Sequence, residues 1–348
     1  FREIQALRIA RQVGYREEAW SRITQALTID TPERNLNLLR QEAVGCLGDF
    51  VGLPPISVSG QETLSGCAAI DPNGTQVVIA LADHTLSLRR LPDGQEIAHF
   101  AGLVGNVSDV AFSGDGKQII AVTTNGQAKF WRSDEIGRWS ASRNVELSSA
   151  DVGGRRQIVF LRDGTALVVT AARQIVLNNL EDGSEVIRLE QVREPKDVAV
   201  SPDGKQIAVL FQDVFVWDVE TGEMVHNISS PFQNGSSILY SPDGQYLVWG
   251  ADEGLVIYKT DGFQQWSVVR LDHVGQFAFS PDSRVLAFAT ITRKTKLWSL
   301  NTQQEIAVLD HPDVSAYSLA FSRDGTHLVQ SGRQTVRVWK VAGLPLSL

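Results

Sequence analysis

From about Leu53 onward the apolar residues come in short β-branched runs, each stopped by Gly, Asp, Pro or Ser. Residues 197–228 show the unit. Asp197-Val198-Ala199-Val200 is followed by Ser201-Pro202-Asp203-Gly204, then by Gln206–Phe211 and Val214–Val219. After Glu220-Thr221-Gly222-Glu223 comes Met224–Ile228. Runs of this composition between turn-forming residues predict four short antiparallel strands. The first turn recurs as Asp71-Pro72-Asn73-Gly74, Ser113-Gly114-Asp115-Gly116, Leu161-Arg162-Asp163-Gly164, Ser241-Pro242-Asp243-Gly244, Ser280-Pro281-Asp282-Ser283 and Ser322-Arg323-Asp324-Gly325. From the last residue of one turn to the next the steps are 42, 48, 40, 40, 39 and 42. A period near 40 residues with four strands per unit predicts an all-β, seven-bladed propeller over residues 54–348.

The first 53 residues follow a helical period instead. Ile4, Leu7, Ile9 and Ala10 lie on one face that stops at Gly14. Ala19, Trp20, Ile23, Ala26 and Leu27 form the stripe of a second helix, from Tyr15 to Leu27. Thr31 caps a third, with Pro32 at its first position and Glu33 where the helix dipole favours an anion. Gly14-Tyr15, Ala19, Ala26-Leu27, Asp30 and Pro32 resemble the second half of a tetratricopeptide repeat, a unit that needs neighbours to bury its face. That implies helices upstream, while a helical cap on the propeller fits the same residues. Phe1 falls inside a helical pattern, so the chain reads as a fragment of something longer.

Charge narrows the choice of partner. The net charge is -8, and residues 1–54 hold seven basic and seven acidic side chains, so the whole excess sits on the repeats. An acidic propeller is a poor partner for nucleic acid, which is held by clustered Lys and Arg. No apolar run is long enough to cross a bilayer, so no direct membrane insertion is expected of these residues. Cys46 and Cys67, with no CxxC pair, read as small buried hydrophobes.

The repeats resemble WD-repeats. Trp217-Asp218 keeps the terminal dipeptide of that motif in full. Trp131, Trp298 and Trp339 keep its Trp, Tyr258 keeps an aromatic ring, and Arg89 and Asn178 keep neither. Asp272-His273 and Asp310-His311 are reduced forms of the motif's Gly-His, and Asp83, Asn125 and Asp252 keep the polar residue six positions before the Trp site. The losses bear on internal hydrogen bonding rather than on the ring. A ring closes without an open edge only if its first and last blades share a sheet. Residues 55–59 are the expected outer strand of the last blade, with Leu344–Leu348 as the rival.

Little of this reads as chemistry. The recurrent Trp residues suit interblade packing, and the recurrent Asp is a turn former whose side chain bonds backbone two residues on. The six histidines are scattered without a ligand pair. Gly114-Asp115-Gly116-Lys117 lacks the Ser or Thr of a phosphate loop, and there is no GxSxG. No cofactor, metal or catalytic residue is expected. What differs between repeats is the set of loops after the second and fourth strands, carrying His84, Asn125, Arg173, Asp213, Asp252, Arg293 and Arg333. The longest step marks an insertion, 133–153, with Arg138-Trp139 as a candidate interface anchor that could equally fold back on its blade. These residues are the expected surface for a protein partner. The run 39–53 followed by degenerate repeats resembles the C-terminal portion of large planctomycete-type bacterial proteins. That resemblance implies an upstream Ser/Thr kinase domain and a signalling role for the whole. A structural subunit of an assembly, or an enzyme with a site in the central pocket, are the alternatives.

Overall fold

A computed structural model describes residues 15–28, 56–59, 64–91, 93–147, 155–161, 165–171, 174–189, 195–232, 234–271, 274–310, 318–332 and 335–341. Tyr15–Thr28 is an α-helix with Ile23 buried. The helices expected on either side of it lie outside the described residues. The rest of the described residues is strand and turn, apart from a short 3-10 helix at Asp261–Phe263. Among the described residues seven four-stranded antiparallel sheets are formed, an all-β arrangement consistent with a WD β-propeller.

The fourth sheet shows how the sequence builds each one. Asp197–Val200, Gln206–Leu210, Val214–Asp218 and Met224–Ile228 pair in order, within a residue of the expected bounds. Ser201 closes the first turn through its hydroxyl, which donates to Asp203 Oδ1 at 2.6 Å and accepts the Gln206 amide at 2.9 Å. The Lys205 amide donates to the same carboxylate at 3.1 Å. This pattern repeats at Ser113, Ser241, Ser280 and Ser322. In the first sheet Asp71 does the serine's work, taking the Thr75 and Gln76 amides at 2.6 and 2.7 Å. The turn of the third sheet, 162–164, lies outside the described residues.

In six sheets the third and fourth strands slip register at one point, and that point is the Trp site: Arg89, Trp131, Asn178, Trp217, Tyr258 and Trp298. The bulge survives where the aromatic ring is gone. Asn178, fully buried, donates from Nδ2 to Gly183 O at 3.2 Å, and Arg89 Nε donates to Ser87 Oγ at 3.0 Å. Local polar bonds thus hold the bend that packing holds elsewhere.

Seven apolar clusters lie between neighbouring sheets, one to a seam. They join sheets one and two, two and three, and so on to six and seven, and finally seven back to one. Trp131 and Trp339 are almost wholly buried in two of them, while Trp217 and Trp298 pack against two others from partly buried positions. Each fully buried Leu, Ile or Val contributes roughly 1.5–3 kcal/mol, so the seams carry the ring. The last sheet is completed by Ile56–Ser59, which pairs antiparallel with Thr335–Lys340. The rival segment, 344–348, lies outside the described residues.

Candidate functional site

The inner strands of all seven sheets face a central cavity of about 760 Å³. At one mouth these strands begin; there too lie the loops after the second and fourth strands, because Asp197 pairs with Leu210, Leu210 with Val214 and Val214 with Ile228. At the other mouth are the Ser-x-Asp-Gly turns.

The polar groups near the first mouth are used to link sheets. Asp197, buried, takes the Ser237 hydroxyl and the Ile238 amide of the next sheet, both at 2.9 Å. Asp109, at the same place in the second sheet, takes the Ile158 amide of the third at 2.8 Å. Ser108 Oγ donates to Arg156 O at 2.8 Å and accepts the Arg156 amide at 2.7 Å. Ser236 Oγ reaches Val274 O at 3.0 Å, Thr295 Oγ1 reaches Gln330 Oε1 at 3.2 Å, and Ser331 Oγ bonds Gly66 O across the closing seam. Arg156 is buried; its Nη1 donates to Thr123 O at 3.3 Å and also to Thr124 O. Burial pulls its pKa down. Cys67 is half-buried rather than buried, and its thiol lines the cavity and donates to Ser108 O at 3.2 Å. Cys46 lies outside the described residues. None of these linkers showed in the sequence as functional, and the one readable signal was Asp109 and Asp197 standing four positions before their turns.

Of the residues expected to face a partner, five stand on the loops after the second strands. His84 and Arg293 adopt φ of 66° and 62°, so they also shape their turns. Asp213 Oδ1 accepts the Ser230 amide at 2.9 Å and Asp252 Oδ2 accepts Asn234 Nδ2 at 2.9 Å, each tying two loops together. Asn125 packs on Gly105, where a β-carbon would meet Nδ2 at 2.6 Å. Arg293 is exposed, and its side chain has no polar partner among the described residues. Arg173 and Arg333 lie outside the described residues. Trp139 stands on its blade, one of the two placements left open for it. It opens the eight-residue outer strand Trp139–Glu146, and its ring meets Phe100 and Phe112 edge-on at 6.0 and 6.4 Å. The half-buried indole packs on its own seam, where an apolar ring finds partners. Its neighbour Arg138 stays exposed, paired with Asp134 at 3.3 Å.

Comparison with known proteins agrees with this geometry. The family described as "WD domain, G-beta repeat" matches residues 94–132 and 303–340. The chain carries WD40 repeats. An uncharacterized WD repeat-containing protein of Synechocystis is 27% identical over 170 residues, 47% of this chain and 47% of the relative. Human transducin beta-like protein 2 is 26% identical over 57% of this chain and 49% of its own length. WD repeat and HMG-box DNA-binding protein 1 of Xenopus laevis is 26% identical over 52% of this chain and 17% of its own length. The chain thus spans about half, or less, of the length of these relatives. The two matched repeats include the second and seventh Trp sites, where Trp131 and Trp339 are most deeply buried.

Among the described residues no group of His, Cys, Asp and Glu is placed to hold a metal ion, and no helix is long and apolar enough to cross a membrane.

Proposed function

We propose that the chain is a complete seven-bladed propeller, led in by helices, that serves as a non-catalytic protein-interaction module of a larger protein. The observation that carries this reading is how the polar groups are used. Asp109, Asp197, Arg156 and the seam serines are spent between sheets, whereas the loops at the strand-start mouth differ from repeat to repeat and leave Arg293, Asp252 and His84 on a rigid frame. Catalysis requires convergent groups that are free to exchange protons, and Asp109, Asp197 and Arg156 at the cavity wall are already bonded. The acidic excess favours a protein partner over nucleic acid, and the similarity to the DNA-binding relative covers only a small part of that protein. A bacterial setting is supported by the Synechocystis relative. The signalling role and an upstream kinase domain rest on the resemblance of segment 39–53.

The test is a triple variant, His84→Ala, Asp252→Ala and Arg293→Ala, compared with the intact chain in quantitative cross-linking to cell extract. Partners of the intact chain should be lost from the variant by about tenfold, the scale of 1.4 kcal/mol, with the melting temperature within a few degrees. Equal recovery would exclude this mouth as the interface.

A further inference from the structure

The turn-side mouth of the cavity holds a cation that the fold does not use. At the second position of the turn four sheets place proline, Pro72, Pro202, Pro242 and Pro281, and the second sheet places Gly114; all line the cavity. The seventh sheet places Arg323 there, also lining it. Its guanidinium crosses the first sheet's turn to lie against Gly114, where any β-carbon would overlap Nη1. A side chain at 114 would displace only the tip of the flexible Arg323 side chain. The Asp324 amide donates to Pro72 O at 3.3 Å and anchors the turn from which Arg323 springs. Arg323 is exposed, and its side chain has no hydrogen-bond or ion-pair partner among the described residues.

The surroundings define what such a cation can hold. Phe160, 37% exposed, lines the same cavity with Phe321 and Leu161, so the wall beside the prolines is apolar. The carboxylates of Asp115, Asp203 and Asp324 bond their own Ser hydroxyls and following amides; in the described turns Asp71, Asp115, Asp203, Asp243, Asp282 and Asp324 outnumber Lys117, Lys205, Arg284 and Arg323, so the rim is weakly acidic. A polyanion is repelled by that rim, whereas a single carboxylate that reaches the guanidinium gains a charge-assisted, bidentate pair. An axial opening ringed by prolines admits a chain end head-on; an internal segment would have to lie across the acidic turns. A cavity of about 760 Å³ accommodates a terminal side chain.

We propose that this mouth binds the free C-terminal carboxylate of a partner polypeptide, held by Arg323, with the last apolar side chain against Phe160 and the prolines. This goes beyond the loop-mouth reading, since it concerns the opposite end of the ring and stands or fails separately from it.

The probes are three fluorescein-labelled hexapeptides of common sequence: one ending in Leu-Phe with a free carboxylate, its carboxamide, and a carboxamide with an internal Glu. Anisotropy titration of the full chain should show the free acid binding about tenfold or more tighter than either amide, the scale of one bidentate charged pair. Arg323→Gln should erase the difference and Arg323→Lys should restore part of it. The acid-to-amide ratio on the unmodified chain needs no variant to be informative. Equal binding of acid and amide would overturn the proposal, as would an absence of saturable binding at millimolar peptide, or an internal-Glu amide that matches the free acid.

Discussion

Ser283 stands where six other turns end in glycine, and it takes the same left-handed conformation, φ 58° against 68–73° for the described turn-ending glycines. A side chain there costs about 1–2 kcal/mol. Its hydroxyl accepts the Asp243 amide of the preceding sheet's turn at 3.0 Å, and a bond of that kind returns about 0.5–1.5 kcal/mol. The two terms nearly cancel. Ser283→Gly should therefore leave stability within about 1 kcal/mol, while Ser283→Ala, which keeps the strain and loses the bond, should cost about 1 kcal/mol or more; urea unfolding of both variants decides it. At this scale the sequence was legible for turn formers, because Asp, Ser and Gly act on backbone within five residues of themselves. It was not legible for Trp139, whose fate depends on Phe100 and Phe112, brought to it only by folding.

Among the elements, Ile56–Ser59 has an effect out of proportion to its four residues. It covers the edge of Thr335–Lys340, which would otherwise present unpaired amides and carbonyls beside a largely buried strand. Removing residues 1–59 should leave a chain that associates through that edge, read as dimers and larger species by light scattering, with a lower melting temperature. A monomer with unchanged melting would show that the pairing does not matter. The need for such a strand was readable from the three-strand seventh repeat. The choice of segment followed from spacing, since closure is an edge problem and edges can be counted. The outer hairpin of the second sheet was harder to read, because the polar strand Trp139–Glu146 carries no apolar alternation to mark it.

For the whole molecule, the ring closes at the seam between sheets seven and one, and His327 sits in it. Its ring lies on Gly74, its Nδ1 meets Thr326 Oγ1 at 2.7 Å, and burial holds its pKa below the ordinary 6.5, with Lys340 adding to the effect and Asp324 and Asp71 opposing it. The unfolded chain therefore takes up this proton first. The stability associated with neutral His327 is complete above pH 6.5 and is lost as pH falls from there through the depressed folded value. A second loss follows at lower pH. The Ser113 hydroxyl and then the Lys117 amide hold Asp115 below 3.8, and the Thr221 amide and hydroxyl do the same for Asp218, so their contribution vanishes as those carboxylates protonate. Melting temperature against pH should fall in two stages. His327→Gln should flatten the upper stage and leave the lower one, and an unaltered upper stage would remove His327 from the account.

What the sequence determined by itself is whatever repeats: the turns, the four short strands, the period near 40 residues and the all-β class, because each depends on backbone preferences within a few residues. Tertiary structure alone decided what those repeats meet. It set Asp109 and Asp197 against amides in the next sheet, folded Trp139 into a seam, and laid Arg323 past the first sheet's turn onto Gly114. Those contacts join residues from about 30 to about 50 positions apart, and for Arg323 more than 200, across a closed ring whose geometry no local pattern encodes.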